Sequence, residues 1–122
     1  MKERTIYFYG HGYNCSQCIL KAAESVYGIS MPKGAVSMCS GINAGLGIGS
    51  MCSVLLAGVM VFGLLFDDIT TKRMRMKLLN YFMDNHESMN CCELKKEQQS
   101  GRRCESIVAE IAELVEIIIA EG

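Results

Sequence analysis

The chain has 122 residues, half of them hydrophobic, with one proline, no tryptophan and a formal net charge of −1. This length suits a single domain with an ordinary hydrophobic core, and the near-zero charge gives no electrostatic basis for binding nucleic acid. There are seven cysteines, an odd number, so complete pairing of the thiols within one chain is excluded.

The first residues do not resemble a secretory signal. The charged residues Lys2, Glu3 and Arg4 are followed by a tyrosine-rich stretch and not by an apolar signal core. We therefore expect a cytoplasmic protein, in a compartment where stable structural disulfides are uncommon. In that setting, many cysteines indicate thiol chemistry or metal binding more than structural cross-links.

Helix caps and apolar spacings predict an all-α fold, a single-domain bundle of about five helices spanning residues 1–122. Asn14 is a favourable N-cap, and Gly28 is a favourable helix end. In the fourth helix, Ile69, Met76 and Leu79 are expected to point inward, with Phe82 or Met83. In chain order, the predicted elements are a short helix or extended lead-in over 2–10, a helix over 14–27, a helix over 32–43, a glycine-rich loop over 41–50, and helices over 51–66, 67–84 and 103–120.

Residues 34–66 contain no charged residue and no histidine, which raises the question of a membrane span. The continuous apolar part, 51–66, would extend roughly 24 Å as a helix, short of the ~30 Å hydrocarbon core of a bilayer. We therefore predict a central helix buried on all sides, capped by Ser50, and not an integral membrane protein. An exposed remnant of this apolar surface would favour a homodimer.

Two cysteines, Cys15 and Cys52, lie at predicted helix starts. Unpaired N–H groups and the helix dipole favour the thiolate there, which is the form that attacks, is oxidised or binds metal. Cys18 and Cys39 are interpreted as small buried hydrophobic residues. Because adjacent residues rarely point to one site, only one of Cys91 and Cys92 is expected to be functional.

Several motifs along the chain resemble the C_GCAxxG_C_C family of redox-active proteins. They are Gly12-Tyr13-Asn14-Cys15-Ser16-Gln17, Ser40-Gly41 with the glycine-rich loop after it, Cys52 with Gly63 in the following helix, Cys91-x-x-Leu94, and Cys104-x-x-Ile107-Val108. The family is characterised by four cysteines, which by position fall on Cys15, Cys52, Cys91 and Cys104. Where members have Gly-Ala after the second cysteine and a further glycine, this chain has Ser53, Val54 and Ala57.

The resemblance implies a small helical redox protein whose four cysteines converge on one site. Cys15 and Cys52 are the expected redox-active pair. Four thiolates can hold an iron–sulfur cluster or a tetrahedral zinc ion, and a pair of them can form a reversible disulfide. All three alternatives stay open, with the cluster slightly favoured, and the cofactor-binding or metal ligands are expected to be Cys15, Cys52, Cys91 and Cys104.

Two other classes of function compete with an oxidoreductase or electron-transfer role. One is a non-catalytic zinc-binding module that has a structural or regulatory role. The other is an accessory protein of a membrane transporter. A redox function requires a partner protein of unknown identity, and no motif in the sequence names a substrate or an enzymatic reaction.

Overall fold

The structure is a computed structural model that describes residues 1–32, 34–43, 45–91, 94 and 103–122, without the side chains of Arg103 and Cys104. Within these residues there is no β-strand, only one isolated antiparallel bridge between Met51 and Asn90. The predicted all-α fold is therefore confirmed. The α-helices with described bounds are α1 (Lys2–Tyr9), α2 (Cys15–Tyr27), α3 (Ser53–Leu65), α4 (Asp68–Met83) and α5 (Arg103–Glu121).

Helix α2 begins and ends where the sequence predicts. The Asn14 side chain accepts a hydrogen bond from the Gln17 N–H (2.9 Å), and the Gln17 side chain accepts one from the Asn14 N–H (3.0 Å). This reciprocal pair satisfies donors that the first helical turn leaves free. At the other end, Gly28 adopts a left-handed conformation with φ of 63°, which an L side chain rarely adopts.

Helix α3 lies at the centre of the fold and packs against α2, α4 and α5, while α1 packs against α2 and α5. A helix enclosed by three neighbours needs a broad apolar surface, and the uncharged sequence of α3 supplies it. The largest fully buried side chains join these helices into one core: Ile19 of α2, Leu55 and Phe62 of α3, Met74, Leu78 and Phe82 of α4, and Ile111 and Ile118 of α5.

The prediction that the central helix is buried on all sides is wrong for one of its faces. Leu56, Met60 and Leu64, spaced four residues apart along α3, are each exposed by 37–42%. The helix also starts two residues later than predicted, at Ser53, with Cys52 and not Ser50 as its N-cap. Among the described helices, none is both long enough and apolar enough to cross a bilayer.

The predicted helix over 32–43 is wrong in the part that the structure describes. Residues 34–42 form turns with one short 3₁₀ turn, Ser37–Cys39. Side chains of α2 bind carbonyl groups of this segment: Asn14 Nδ2 donates to Cys39 O (3.1 Å), and Gln17 Nε2 donates to Val36 O (3.0 Å). These two contacts hold the segment against the start of α2 as a series of turns. They join residues that are about 20 positions or more apart, so the local sequence pattern does not predict them.

In α4, the inward face is only partly the one that we predicted. Phe82 and Leu79 contact the core as expected, but Ile69 is 78% exposed, and Met76 is half exposed. The buried stripe is Met74, Leu78 and Phe82, at a spacing of four residues. The apolar residues of this helix point in several directions, so their pattern alone defines the buried face poorly.

Close packing of α3 predicts opposite effects for alanine at its two glycines, the buried Gly58 and the exposed Gly63. A Cβ at Gly58 would lie 3.0 Å from Leu78 Cδ2 and 3.1 Å from Val115 Cγ2, whereas one at Gly63 would lie 3.9 Å from Thr71 Cγ2. Gly58→Ala should lower the free energy of unfolding by about 1 kcal/mol, because overpacking exceeds the gain in helix propensity. Gly63→Ala should raise it by about 0.5–1 kcal/mol. Urea denaturation measures both, and a more stable Gly58→Ala protein would contradict this packing.

Candidate redox site

Two backbone hydrogen bonds bring the second and third predicted site cysteines together. The Cys52 N–H donates to the Met89 carbonyl (2.8 Å), and the Cys91 N–H donates to the Ser50 carbonyl (2.6 Å). They border the bridge between Met51 and Asn90, so the residue before α3 is held against the chain that follows α4. Cys52 and Cys91 are therefore diagonal neighbours across one short ladder.

The turn before this ladder is formed by Gly45–Gly49, within the loop that the four glycines predict. The Ser50 N–H donates to the Gly45 carbonyl (3.0 Å), which closes the turn directly before the bridge. Leu46 and Gly47 have left-handed backbones with φ of 64° and 79°, and Leu46 is the only non-glycine residue with positive φ in the described chain. A left-handed backbone is uncommon for leucine, and it persists only where the surrounding structure imposes it.

Cys15, the first residue of α2, is half-buried and faces the start of α3. Its sulfur lies 3.6 Å from the hydroxyl oxygen of Ser53, the first residue of α3. Ser53 is 38 positions away in the sequence, and its hydroxyl was not among the predicted site groups. No local spacing could have identified it, because the packing of α2 on α3 creates the contact.

The acidity of Cys52 differs from the prediction. Burial raises the pKa of Cys52 to about 11, although the N–H groups of Val54 and Leu55 in the first turn of α3 lower it. Negative charge on Cys15 or Cys91 raises it further. The expectation that a helix start makes Cys52 a ready thiolate is wrong, because only 6% of the residue is exposed to water.

Cys18 and Cys39 belong to the core, as predicted. Both are almost completely buried, and their sulfurs lie 3.7 Å from the carbonyl oxygens of Tyr13 and Ala35 respectively. Burial, together with the charge of Cys15, raises the pKa of Cys18 to about 12. Burial also raises the pKa of Cys39, against an opposing hydrogen bond from Ser16.

The other two cysteines of the predicted site region, Cys92 and Cys104, lie wholly or partly outside the described residues. Cys104 lies in the first turn of α5, but its side chain falls outside the described residues, as does Cys92 altogether. The described side chains include no group of three or more Cys, His, Asp and Glu that could hold a metal ion. His11, four residues before Cys15, is bound instead to α1, where Nδ1 lies 2.7 Å from the Tyr7 carbonyl.

Alanine at Gly45 should disrupt the ladder that joins Cys52 to Cys91. A Cβ at Gly45 would collide with the backbone N and O of Ser50, whereas one at Gly47 would have no neighbour within 4 Å. Both glycines have positive φ, so Gly47→Ala is the matched control for backbone strain alone, at roughly 1 kcal/mol. In Gly45→Ala, the protection of the Cys52 and Cys91 amides from hydrogen exchange should fall several-fold more than in Gly47→Ala. Equal protection in the two variants would contradict the role of Gly45.

The buried thiols predict a loss of stability at alkaline pH under reducing conditions. Cys18 and Cys52 have folded pKa values of about 12 and about 11, against an ordinary value of 9.0. Between pH 9 and these values the unfolded chain has released protons that the folded chain retains. The free energy of unfolding should therefore fall with rising pH, by up to about 1.4 kcal/mol per pH unit for each thiol.

Cys18→Ala tests this origin, because it removes one of the buried thiols whose pKa is raised. Denaturant melts from pH 7 to pH 11 should show a shallower slope above pH 9 in this variant. Val61→Ala truncates the same core without removing a titrating group, so it should lower stability by a similar amount at every pH. An unchanged slope in Cys18→Ala would show that this thiol does not titrate as described.

Comparison with known proteins identifies the family. The family model described as "Putative redox-active protein (C_GCAxxG_C_C)" matches residues 13–118, which include Cys15, Cys52, Cys91 and Cys104. Searches of curated proteins and of solved structures found no match. Because the matched region covers most of the chain, and the motif cysteines lie at two helix starts and on one ladder, this chain belongs to the C_GCAxxG_C_C family of redox-active proteins.

Proposed function

We propose that this protein exchanges electrons with disulfides through Cys15 and Cys52. The observation that carries the proposal is the contact between the Cys15 sulfur and the hydroxyl oxygen of Ser53 (3.6 Å), the residue that directly follows Cys52. Thiols that folding brings together from separate segments can form a disulfide where the positions of their Cα and Cβ atoms allow it.

The two thiols suit different steps of exchange. Cys15 is half-buried, the more exposed of the two, so it is the thiol that we assign to the first attack on a partner disulfide. Cys52 is almost completely buried and holds its proton at neutral pH, which makes it a poor first attacker. Once a mixed disulfide has formed on Cys15, however, Cys52 is the near neighbour that can displace the second partner sulfur.

The reaction is a two-electron exchange. The Cys15 thiolate attacks one sulfur of the partner disulfide, which breaks that bond, forms a bond from Cys15 to the partner, and releases the other sulfur as a thiol after protonation. Cys52 then loses its proton and attacks the Cys15 sulfur, which releases the second partner thiol and forms the Cys15–Cys52 disulfide. The N–H groups of Val54 and Leu55 stabilise the charge that Cys52 gains in this step. Two electrons pass to the partner, and the reverse sequence oxidises a partner dithiol.

An iron–sulfur cluster or a zinc ion on Cys15, Cys52, Cys91 and Cys104 stays a prediction of the sequence. The described side chains alone do not fit such a group, since they do not gather three ligands around one point. A four-thiolate site would need the side chain of Cys104, and none of the proposed steps passes through a metal.

The experiment begins with protein purified without oxygen and assayed for iron, acid-labile sulfide and zinc. The metal-free protein is then equilibrated across a glutathione redox series, trapped with an alkylating reagent and mapped by peptide mass spectrometry. We expect a two-electron transition with a Cys15–Cys52 disulfide, absent in Cys15→Ala and Cys52→Ala. Cys39→Ala is the matched control, because it removes a buried thiol whose sulfur faces Ala35, and should keep the transition.

Two outcomes would overturn the proposal. One is stoichiometric iron and sulfide, or zinc, that is lost when Cys15 and Cys52 are replaced, because these thiols would then be ligands. The other is a Cys15 that stays reduced across the whole glutathione series. A Cys15–Cys91 disulfide in place of Cys15–Cys52 would overturn the assignment of the resolving thiol.

A further inference from the structure

Three large apolar side chains are exposed to water on the two turns that precede α3. Met38, in the short 3₁₀ turn, is 76% exposed, and Leu46 and Ile48, in the glycine turn, are 59% and 81% exposed. None of the three belongs to the hydrophobic core that the described residues form. A single exposed apolar residue is ordinary, but three on two turns of one site indicate an interaction surface. We call Met38, Leu46 and Ile48 the apolar rim.

Both turns are bonded to residues next to the two redox-site thiols. The Asn14 side chain donates to the Cys39 carbonyl (3.1 Å), which holds the first turn against the residue before Cys15. The second turn ends at Ser50, two residues before Cys52, and the Ser50 carbonyl accepts the ladder hydrogen bond from the chain beyond α4. A protein that brings a disulfide to Cys15 is therefore expected to meet the apolar rim.

The backbone of Leu46 supports a role for this surface outside folding. Its φ of 64° is unfavourable for leucine, whereas glycine or asparagine adopts this conformation more readily. The strain does not serve the core, because the leucine side chain projects into water. Backbone strain of this kind is concentrated at functional surfaces, where binding uses the side chain that the strain displays.

The charge of the region limits what can cover the apolar rim. Residues 34–66 contain no charged residue and no histidine, so a charged partner surface would lose its hydration here without gaining an ion pair. Binding to a lipid surface commonly draws on nearby basic residues, and this stretch supplies none. A second copy of the chain would cover the approach to the thiols that exchange requires. The occupant that fits is an uncharged, apolar segment of a partner protein.

We propose that the apolar rim binds the segment around the partner's disulfide and so selects proteins whose disulfide is flanked by uncharged, apolar side chains. The inference rests on the proposed function, in which Cys15 attacks a partner disulfide, and it names the class of partner. Binding takes apolar area of both molecules out of water, which favours the encounter without any ion pair.

The first test compares two disulfide-linked peptide dimers, one of capped Leu-Cys-Leu and one of capped Ser-Cys-Ser. The reduced full-length protein is mixed with each, and release of the peptide thiol is followed after acid quenching. The apolar peptide should react faster. Ile48→Ser should lower its rate constant about fivefold and leave the rate of the polar peptide unchanged, because less apolar area is buried. Equal rates for the two peptides in the wild type would overturn the inference.

Ile69→Ser is the matched control. Ile69 is also an isoleucine and is 78% exposed, but it lies in the first turn of α4, at the end of α3 opposite to Cys52. This variant should keep both rate constants. An equal loss in Ile69→Ser and Ile48→Ser would show that general surface hydrophobicity, and not the apolar rim, determines the rate.

Leu46→Asn separates binding from stability. Asparagine tolerates the left-handed backbone, so the urea midpoint of unfolding should stay the same or rise. The rate constant of the apolar peptide should nevertheless fall about threefold, because the exposed leucine side chain is lost. A residue with a merely structural role would change the rates of both peptides together, and that result would contradict the inference.

A titration that needs no exchange keeps this inference distinct from the proposed function. The S-methylated Leu-Cys-Leu peptide cannot form a disulfide, and it should cause saturable shifts in the backbone amide signals of residues 37–40 and 46–49. S-methylated Ser-Cys-Ser should not. Absent shifts would overturn the inference. Shifts of the same signals with phosphatidylcholine vesicles, or with protein concentration alone, would also overturn it, because the occupant would then be lipid or a second copy.

The two proposals fail separately. If the S-methylated apolar peptide binds at these turns but no disulfide oxidises Cys15, the proposed function fails and the binding surface stands. If both peptide disulfides oxidise Cys15 at equal rates and no amide signals shift, exchange stands and the apolar rim does not select the partner.

Discussion

The short backbone ladder around Met51 and Asn90 is the interaction on which the site depends. It joins the residue before the central helix to the chain beyond α4, and so places Cys52 near Cys91. Backbone hydrogen bonds suit this task because they fix the path of the chain and leave the side chains free for chemistry. The turn before the ladder requires glycine for a related reason. Gly45 lies against the backbone of Ser50, where a side chain would not fit.

Burial and helix polarity act in opposite directions on the thiols. Both Cys15 and Cys52 lie at helix starts, where the backbone N–H groups favour a negative charge. For Cys52 burial is the larger effect, and its pKa rises. A helix start therefore does not by itself make a cysteine reactive, because the same local position can be open to water or enclosed by neighbouring helices.

Some parts of the fold were predictable because local forces determine them. Asn14 and Gly28 bound α2 as expected, since the cap and the left-handed glycine act within a few residues. The stripe of Ile107, Ile111 and Ile118 in α5 is buried because its spacing matches one helix face. The segment before Asn43 forms turns and not the predicted helix, because the side chains of Asn14 and Gln17 bind its carbonyl groups. The outer face of α3 is exposed and not buried, because an apolar sequence does not specify which sides of a helix have neighbours.

The sequence by itself determined an all-α chain, the starts of the five described α-helices to within two residues, and the family with its four cysteines. Those features depend on residue type and spacing along the chain. Only the tertiary structure decided that one backbone ladder joins Cys52 to the segment of Cys91, that Cys52 is too buried to ionise readily, and that Ser53 faces the Cys15 sulfur. These features depend on distances between segments tens of residues apart, which helix packing and the backbone ladder set and no local pattern encodes.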